Sequence, residues 1–449
     1  MKLTTFLRGL LVVLGGTFTL YSQTGADSHN FHAARLQRIR LASATAQQLP
    51  SSATCLADYG IACYAPSDIH NAYGITPLLA AGYTGWGQTI VIIVSYGSPT
   101  IEQDLKAFDT AFGLPDPPSF RVLAPLGTVP FDPTDSEQLG WAGETSLDVQ
   151  WAHAMAPNAS IVVLTSPVNE TEGTQGLPEF LKLEEYALDH HLGQIITQSW
   201  GATENTLFDA AGRKVLNDFE KFYERAAAEG VTVLASTGDY GTSNPEVNGT
   251  NYSFATVNFP ASSPYVTAVG GTTLNLDVDG NYGLETVWNE SAAGAGASGG
   301  GVSQYFSEPL FQYRLGRSTQ RQLGGYRGLP DVASNADPFT PVWVYFGFFA
   351  DPTYNGFSPA GNGTSEASPT WAGIVADANQ MAGRPLGFLN PKLYAIGASG
   401  EQSDFFHDIK VGNNAYNGLP GYEATAGFDL ASGWGTPNLS RLLWELCRP

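Results

Sequence analysis

Apolar residues gather along this chain in short runs rich in valine and isoleucine: Thr89–Ser95, Ser160–Thr165, Gln194–Ser199, Val231–Ser236, Tyr265–Val269 and Val342–Phe346. Most of them are continuous rather than alternating, the pattern of strands buried on both faces of a parallel sheet. Between the earlier runs lie stretches of helical periodicity, Glu102–Phe112, Glu137–Met155, Leu177–Asp189 and Ala211–Glu229. Strand–helix alternation predicts an α/β fold, a central and mostly parallel sheet flanked by helices. Glycine-rich stretches at Ala292–Gly301 and Gly356–Gly363 read as loops beside a site. From Cys55 onward no change of composition marks a boundary, so residues 54–449 are expected to form a single large domain.

Composition adds what this fold does not do. Of 449 residues 43% are hydrophobic and only 14% charged, and 42 acidic side chains face 21 basic ones, a net charge of −21. A nucleic-acid partner needs a basic face, which this balance excludes. The acidity fits simple solubility, and it also fits work in acid, where carboxylates are neutral and few ion pairs are needed. The N-terminus has the three parts of a secretory signal: Lys2 and Arg8, the apolar run Leu10–Tyr21, and small polar residues to Ala26. That run is shorter than the roughly 20 residues of a membrane span. Residues 1–26 are therefore expected to be a signal peptide and 27–53 a linker or short pro-segment. The protein is expected to be secreted, extracellular or periplasmic, with no membrane association once the signal is removed. Cys55 and Cys63 are either a small disulfide loop or two buried thiols, and export favours the disulfide. Cys447 is left over, and no Cys/His spacing suggests zinc.

The chemistry begins at Gly361-Asn-Gly-Thr-Ser-Glu-Ala-Ser-Pro-Thr-Trp371. Here Ser365 follows a glycine-rich loop and opens a helical run, where backbone N–H groups favour a developing anion. A nucleophilic serine needs a base. None of the seven histidines stands in a His-Gly-Thr context. Carboxylates are the alternative. Glu144 and Asp148 are four apart in a helical stretch whose other positions are largely apolar, so both project from one face of a buried helix. A close pair of buried acids is costly unless it is used. Asp239, in Gly-Asp-Tyr-Gly, lies just beyond the run Val231–Ser236, where open α/β sheets bind ligands. A histidine base is protonated well below pH 6, whereas a carboxylate still accepts protons at about pH 3–5. In that chemistry Glu144 is the base, Asp148 orients it, and a neutral Asp239 donates to an oxyanion together with the Ser365 N–H.

Taken together these residues resemble the sedolisins, the serine-carboxyl peptidases of subtilisin-like fold. Gly363–Pro369 matches the family's Gly-Thr-Ser-x-x-x-Pro motif, Glu144 and Asp148 its Glu-x-x-x-Asp pair, and Asp239 its oxyanion aspartate. Further stretches typical of the family are Ser199-Trp-Gly-Ala-Thr-Glu204, Gly299-Gly-Gly-Val-Ser303 and Arg327-Gly-Leu-Pro-Asp-Val332. The likeness implies a serine-type peptidase acting on proteins or peptides in acid, as a monomer. It implies that Ser199, Trp200 and Gly201 form an edge along which substrate lies. It also implies one Ca2+, held by the side chains of Asp408 and Asp429 and the carbonyls of Ile409, Thr425 and Gly427. Thr425 stands where the family pattern often has glycine. A histidine-based subtilisin would need an aspartate after the first strand, but Ile93-Val94-Ser95-Tyr96 has none, and no His-Glu-x-x-His or paired Asp-Thr/Ser-Gly motif is present. The family's usual long prodomain has no counterpart before the likeness begins. The remaining alternatives are a tripeptidyl-peptidase rather than an endopeptidase, and an inactive exported binding protein on the same fold.

Overall fold

The structure is a computed structural model that describes residues 49–448, so the expected signal over 1–26 and nearly all of the segment 27–53 lie outside the described residues. Strand β1 (Thr89–Ser95) lies in the middle of an eight-stranded sheet, with Ile90 to Val94 buried on both faces. The other strands are β2 (Phe120–Leu123), β3 (Ser160–Ser166), β4 (Ile195–Gln198), β5 (Thr232–Ser236), β6 (Thr267–Leu276), β7 (Tyr282–Val287) and β8 (Val332–Asn335). Their order is β8-β6-β5-β4-β1-β3-β2, all parallel, with β7 added antiparallel to β6. Five of the six apolar runs became strands of this sheet. Ile90 stands opposite both Ile161 and Ile195, and Ile196 opposite Val233, which keeps the apolar runs in register.

Two long helices share one layer. The acid helix, Ser136–Met155, starts at Asp135, whose side chain accepts from the N–H groups of Glu137 and Gln138. Every residue from Trp141 to Met155 is buried, so the helix shows little polar–apolar sidedness, as a helix enclosed on all sides should. Its hydroxyls turn back on its own carbonyls, Thr145 Oγ1 to Trp141 O at 2.7 Å and Ser146 Oγ to Ala142 O at 3.0 Å. The serine helix, Thr364–Ala382, packs along it and over β4, β5, β6 and β8. The two approach closely at Gly373, where an added Cβ would stand 2.4 Å from the Met155 Cβ. Helices Leu177–Asp189 and Ala210–Ala228 pack on each other, the first against β1 and β3 and the second against β5.

The sixth apolar run, Val342–Phe346, is not in the parallel sheet. It forms an antiparallel hairpin with Gly356–Gly361, a stretch expected as loop. The apolar run is buried by docking on the acid helix instead: Gln150 exchanges two 2.8 Å hydrogen bonds with the Tyr345 backbone, and Trp151 Nε1 donates to Trp343 O at 3.0 Å. Apolarity records burial but not which partner supplies it. Cys55 and Cys63 form the disulfide, and Cys447 is a free, half-buried thiol.

Candidate active site

The N-terminal end of the serine helix meets the carboxyl ends of β4 and β5. Gly363 caps the helix at φ +80°, a conformation that favours glycine. A side chain there would also put its Cβ 2.6 Å from Asp239 Oδ2. Asp239, three residues past β5, accepts from the N–H and the hydroxyl of Thr364, both at 2.9 Å on Oδ1. The Thr364 hydroxyl in turn accepts from the Gly238 N–H at 2.9 Å. The Gly-Thr-Ser tripeptide is thus a fitted part: glycine for the turn, threonine to grip Asp239, serine next in line. Ser365 is in the first turn, where N–H groups have no partner within the helix.

Pro369 lies inside the helix, four residues on. It has no N–H, so the Ser365 carbonyl loses its helical donor. The Ser199 hydroxyl, one residue past β4, stands 3.3 Å from that carbonyl oxygen and 2.6 Å from Asp148 Oδ1. Asp148 is fully buried, and burial pushes its carboxyl up to about 8 while the Ser199 hydrogen bond pulls the other way. Glu144, also buried, lies one turn earlier on the same face of the acid helix. The structure therefore joins Asp148, Ser365 and Asp239 into one neighbourhood through Ser199 and Thr364, and sets Glu144 a turn away from Asp148.

The glycine-rich segment Ala292–Gly301 does run beside this neighbourhood. Ala297 N donates to Asp239 O at 3.0 Å and Gly299 N to Gly238 O at 2.7 Å. An added Cβ on Gly299 would lie 2.0 Å from the Thr237 carbonyl oxygen, so only glycine allows this approach. Of the residues expected to form a substrate edge, Ser199 turns its side chain inward, as above. The Trp200 indole is buried against Phe180 and Phe219, with ring centroids 4.5 and 6.2 Å away. Gly201 passes Phe259 O so closely that a Cβ would stand 2.8 Å from it. All three residues are buried, and neither the Ser199 nor the Trp200 side chain faces outward.

The histidines of the described residues have other places. His153 Nε2 lies 2.9 Å from Pro115 O and 3.2 Å from Asp109 Oδ1, His70 Nε2 lies 2.8 Å from Ala154 O, and His407 stacks on Tyr282. His190 Nδ1 lies 2.9 Å from Tyr186 O, and His191 is on the exposed turn beside it.

Three residues near the site carried no signal in the sequence. Thr364 was inside the motif without a role. Glu366, directly after the serine, is buried and takes Asn335 Nδ2 at 3.1 and 3.3 Å on its two oxygens; burial pushes its carboxyl well up. Glu172 accepts from the N–H and hydroxyl of Thr203 at 2.7 and 3.1 Å, and burial pushes it to about 8. A carboxyl's burial by a distant strand leaves no local trace in sequence.

At the other end of the chain, the Gly427 N–H donates to both oxygens of Asp408, at 3.1 and 3.3 Å, and Lys410 Nζ lies 3.1 Å from Asp408 Oδ2. Asp429 accepts from the N–H groups of Thr425, Ala431 and Ser432 at 2.8 to 3.0 Å. Among the described residues no group of three or more His, Cys, Asp or Glu side chains is arranged to hold a metal. A cation here would rely on two carboxylates plus backbone oxygens. The carbonyls of Ile409, Thr425 and Gly427 accept no hydrogen bond among the described residues. An oxygen-only donor set of that kind fits a hard cation such as calcium.

The subtilase family pattern matches residues 140–384, which span both carboxylates of the acid helix, Asp239 and Ser365. Kumamolisin from Bacillus sp. (strain MN-32) is 36% identical over 388 residues, covering 85% of this chain and 63% of the relative. Tripeptidyl-peptidase 1 from Homo sapiens is 33% identical over 329 residues, covering 69% of this chain and 53% of the relative. This chain therefore spans somewhat over half the length of these curated relatives. A solved structure of Pseudomonas sedolisin, a serine-carboxyl proteinase complexed with two molecules of pseudo-iodotyrostatin, superimposes with a TM-score of 0.71 at 31% identity. It covers 86% of this chain and 98% of that one. On the family match over 140–384 and the 31%-identical structure of which 98% is covered, the chain belongs to the subtilase family, in its sedolisin branch of serine-carboxyl peptidases.

Proposed function

We propose that the chain is a secreted, acid-acting endopeptidase that hydrolyses protein substrates with Ser365 as nucleophile. The observation that carries this reading is the double tether of Ser365: the Ser199 hydroxyl lies between its carbonyl and Asp148, and Asp239 grips the preceding Thr364. In this mechanism Ser365 Oγ attacks the peptide carbonyl while Glu144 takes its proton, and Asp148 steadies Glu144. Neutral Asp239 and the Ser365 N–H donate to the oxyanion. Glu144 then protonates the leaving amine, and water releases the acyl group by the reverse steps. Substrate backbone lies along Ser199–Gly201.

One calcium ion belongs to this reading, held by Asp408, Asp429 and the carbonyls of Ile409, Thr425 and Gly427. When bound it would supply charge that draws the two loops together, with Lys410 giving up its contact to Asp408. A second reading, a tripeptidyl-peptidase, is supported by the likeness to tripeptidyl-peptidase 1.

The test is cleavage of a denatured protein and of a quenched peptide library between about pH 2.5 and 7, a range that brackets carboxyl titration. Activity should peak in acid. It should fall to background in Ser365→Ala and by at least about a hundredfold in Glu144→Gln. A Ser365→Ala variant as active as wild type refutes the assignment. Release of N-terminal tripeptides alone would select the second reading.

A further inference from the structure

We propose that the Ser199 side chain is a positioning residue that holds Asp148 to the backbone of the nucleophile, and that Pro369 exists in the serine helix to leave it that role. This inference rests on the reading of Ser365 and Asp148 given above. Residue 369 is where any residue but proline would bring the backbone N–H that closes the helical hydrogen bond on the Ser365 carbonyl. Proline brings none, and its ring crowds that carbonyl. A carbonyl buried without a donor costs free energy. Ser199 Oγ stands 3.3 Å away and supplies the contact from outside the helix.

The same oxygen is 2.6 Å from Asp148 Oδ1, and Ser199 is itself 2% exposed, so water does not compete. A hydroxyl carries one proton and two lone pairs. It donates to Asp148 when that oxygen is bare. When Asp148 carries a proton there, the hydroxyl accepts it and turns its own proton to the Ser365 carbonyl. Ser199 thus contacts Asp148 in both forms, and it bridges Asp148 to the first turn of the serine helix in the protonated one. An Asp148 that must gain and lose a share of a proton with Glu144 during turnover needs a partner that serves both forms. Neither a backbone N–H nor a carbonyl could. Asp148 Oδ2 has no donor among the described residues, and the Ser199 hydroxyl holds the carboxyl at Oδ1.

The experiment is steady-state kinetics on Ser199→Ala, Pro369→Ala and the double variant, with thermal unfolding of each. Removing a hydrogen bond to a charged or protonating group should lower kcat of Ser199→Ala by about 10- to 100-fold, with KM within a factor of about two. Its melting temperature should also fall, because the Ser365 carbonyl is orphaned. Adding Pro369→Ala returns an N–H to that carbonyl. The double variant should regain melting temperature and keep the kcat defect, because Asp148 is still unheld. Should Ser199→Ala alone fail to fold, the double variant and Ser199→Cys, a near-isosteric weak donor expected to lose kcat at unchanged KM, carry the comparison. Recovery of kcat together with stability in the double variant would reduce Ser199 to a structural prop and overturn the proposal. So would a raised KM at wild-type kcat, which would make Ser199 a substrate contact. Wild-type activity that survives Ser365→Ala is a different result, and it defeats the underlying reading rather than this one.

Discussion

Burial of Glu172 makes the pH dependence of folding calculable at one residue. Glu172 is 9% exposed, hydrogen-bonded to Thr203, and pushed from 4.5 to about 8, mainly by burial. Its neighbour Glu170 is fully buried, and its two oxygens find no donor among the described residues. The sign follows from the direction of the shift. A carboxyl whose folded pKa is raised is neutral in both states below pH 4.5, so it costs nothing there. Between pH 4.5 and 8 the unfolded chain ionises and the folded one resists, so stability is lost progressively as pH rises. At pH 7 the gap from 4.5 amounts to about 3 kcal/mol at 1.36 kcal/mol per unit. That is a large share of a typical stability of roughly 5–15 kcal/mol. Glu172→Gln removes the titration and keeps an oxygen for the Thr203 N–H, while the Thr203 hydroxyl can turn to accept from the new amide. In urea unfolding the variant should equal wild type near pH 4 and exceed it by about 3 kcal/mol at pH 7. Equal slopes of stability against pH in the two proteins would refute the reasoning. A variant weaker than wild type at both pH values would show that the Thr203 contacts outweigh the charge. Asp148 at about 8, Glu220 at about 7 and Asp104 at about 6 are raised by burial in the same sense, so the wild-type protein should itself be more stable in acid than at neutral pH.

Two further outcomes bear on other parts of the molecule. Gly363→Ala should lower the melting temperature and nearly abolish peptide cleavage, because its Cβ would stand 2.6 Å from Asp239 Oδ2 at a φ of +80°, a backbone cost of about 1–3 kcal/mol before any clash; differential scanning fluorimetry beside the peptide assay checks it. Dialysis against a chelator should lower the melting temperature, and Ca2+ but not Mg2+ should restore it, since the smaller ion demands stricter geometry; an unchanged melting temperature removes calcium from the account.

How much of this was legible beforehand differs with the physical origin of each feature. The parallel strands were readable because burial on both faces forces continuous apolar runs, as in Ile90–Val94. The acid helix was readable for a related reason: a helix enclosed on all sides fills with apolar residues, which makes two acids in it conspicuous. Val342–Phe346 misled because its apolar run is buried by a helix through Gln150 and Trp151, and strand chemistry looks the same in either setting. Gly356–Gly361 reads as loop because glycine content suggests backbone freedom. There Gly361 is small for packing instead: an added Cβ would meet Val342 Cγ2 at 2.4 Å. Resemblance alone puts Ser199 on the substrate edge. Its inward turn depends on Asp148, 51 positions away, and on a carbonyl freed by Pro369, and no local pattern encodes that meeting.

The absence of a histidine ties these observations together. A buried carboxyl pair one turn apart cannot carry two charges cheaply, because like charges in a poorly solvated site repel and each resists desolvation. Burial eases this by pushing the Asp148 carboxyl well above the usual range, which favours its neutral form in acid. In acid the pair then carries at most one negative charge, and the proposed mechanism places it on Glu144 when Ser365 needs a base. The same burial that would cripple a surface acid therefore makes the pair workable. It also explains why the acid helix has no exposed face from Trp141 onward: water reaching Asp148 would lower its proton affinity and restore the second charge. Ser199 fits this scheme because a hydroxyl adds a hydrogen bond without adding charge. A lysine or arginine in its place would favour an ionised Asp148, and the single-charge arrangement on which Glu144 depends would be lost.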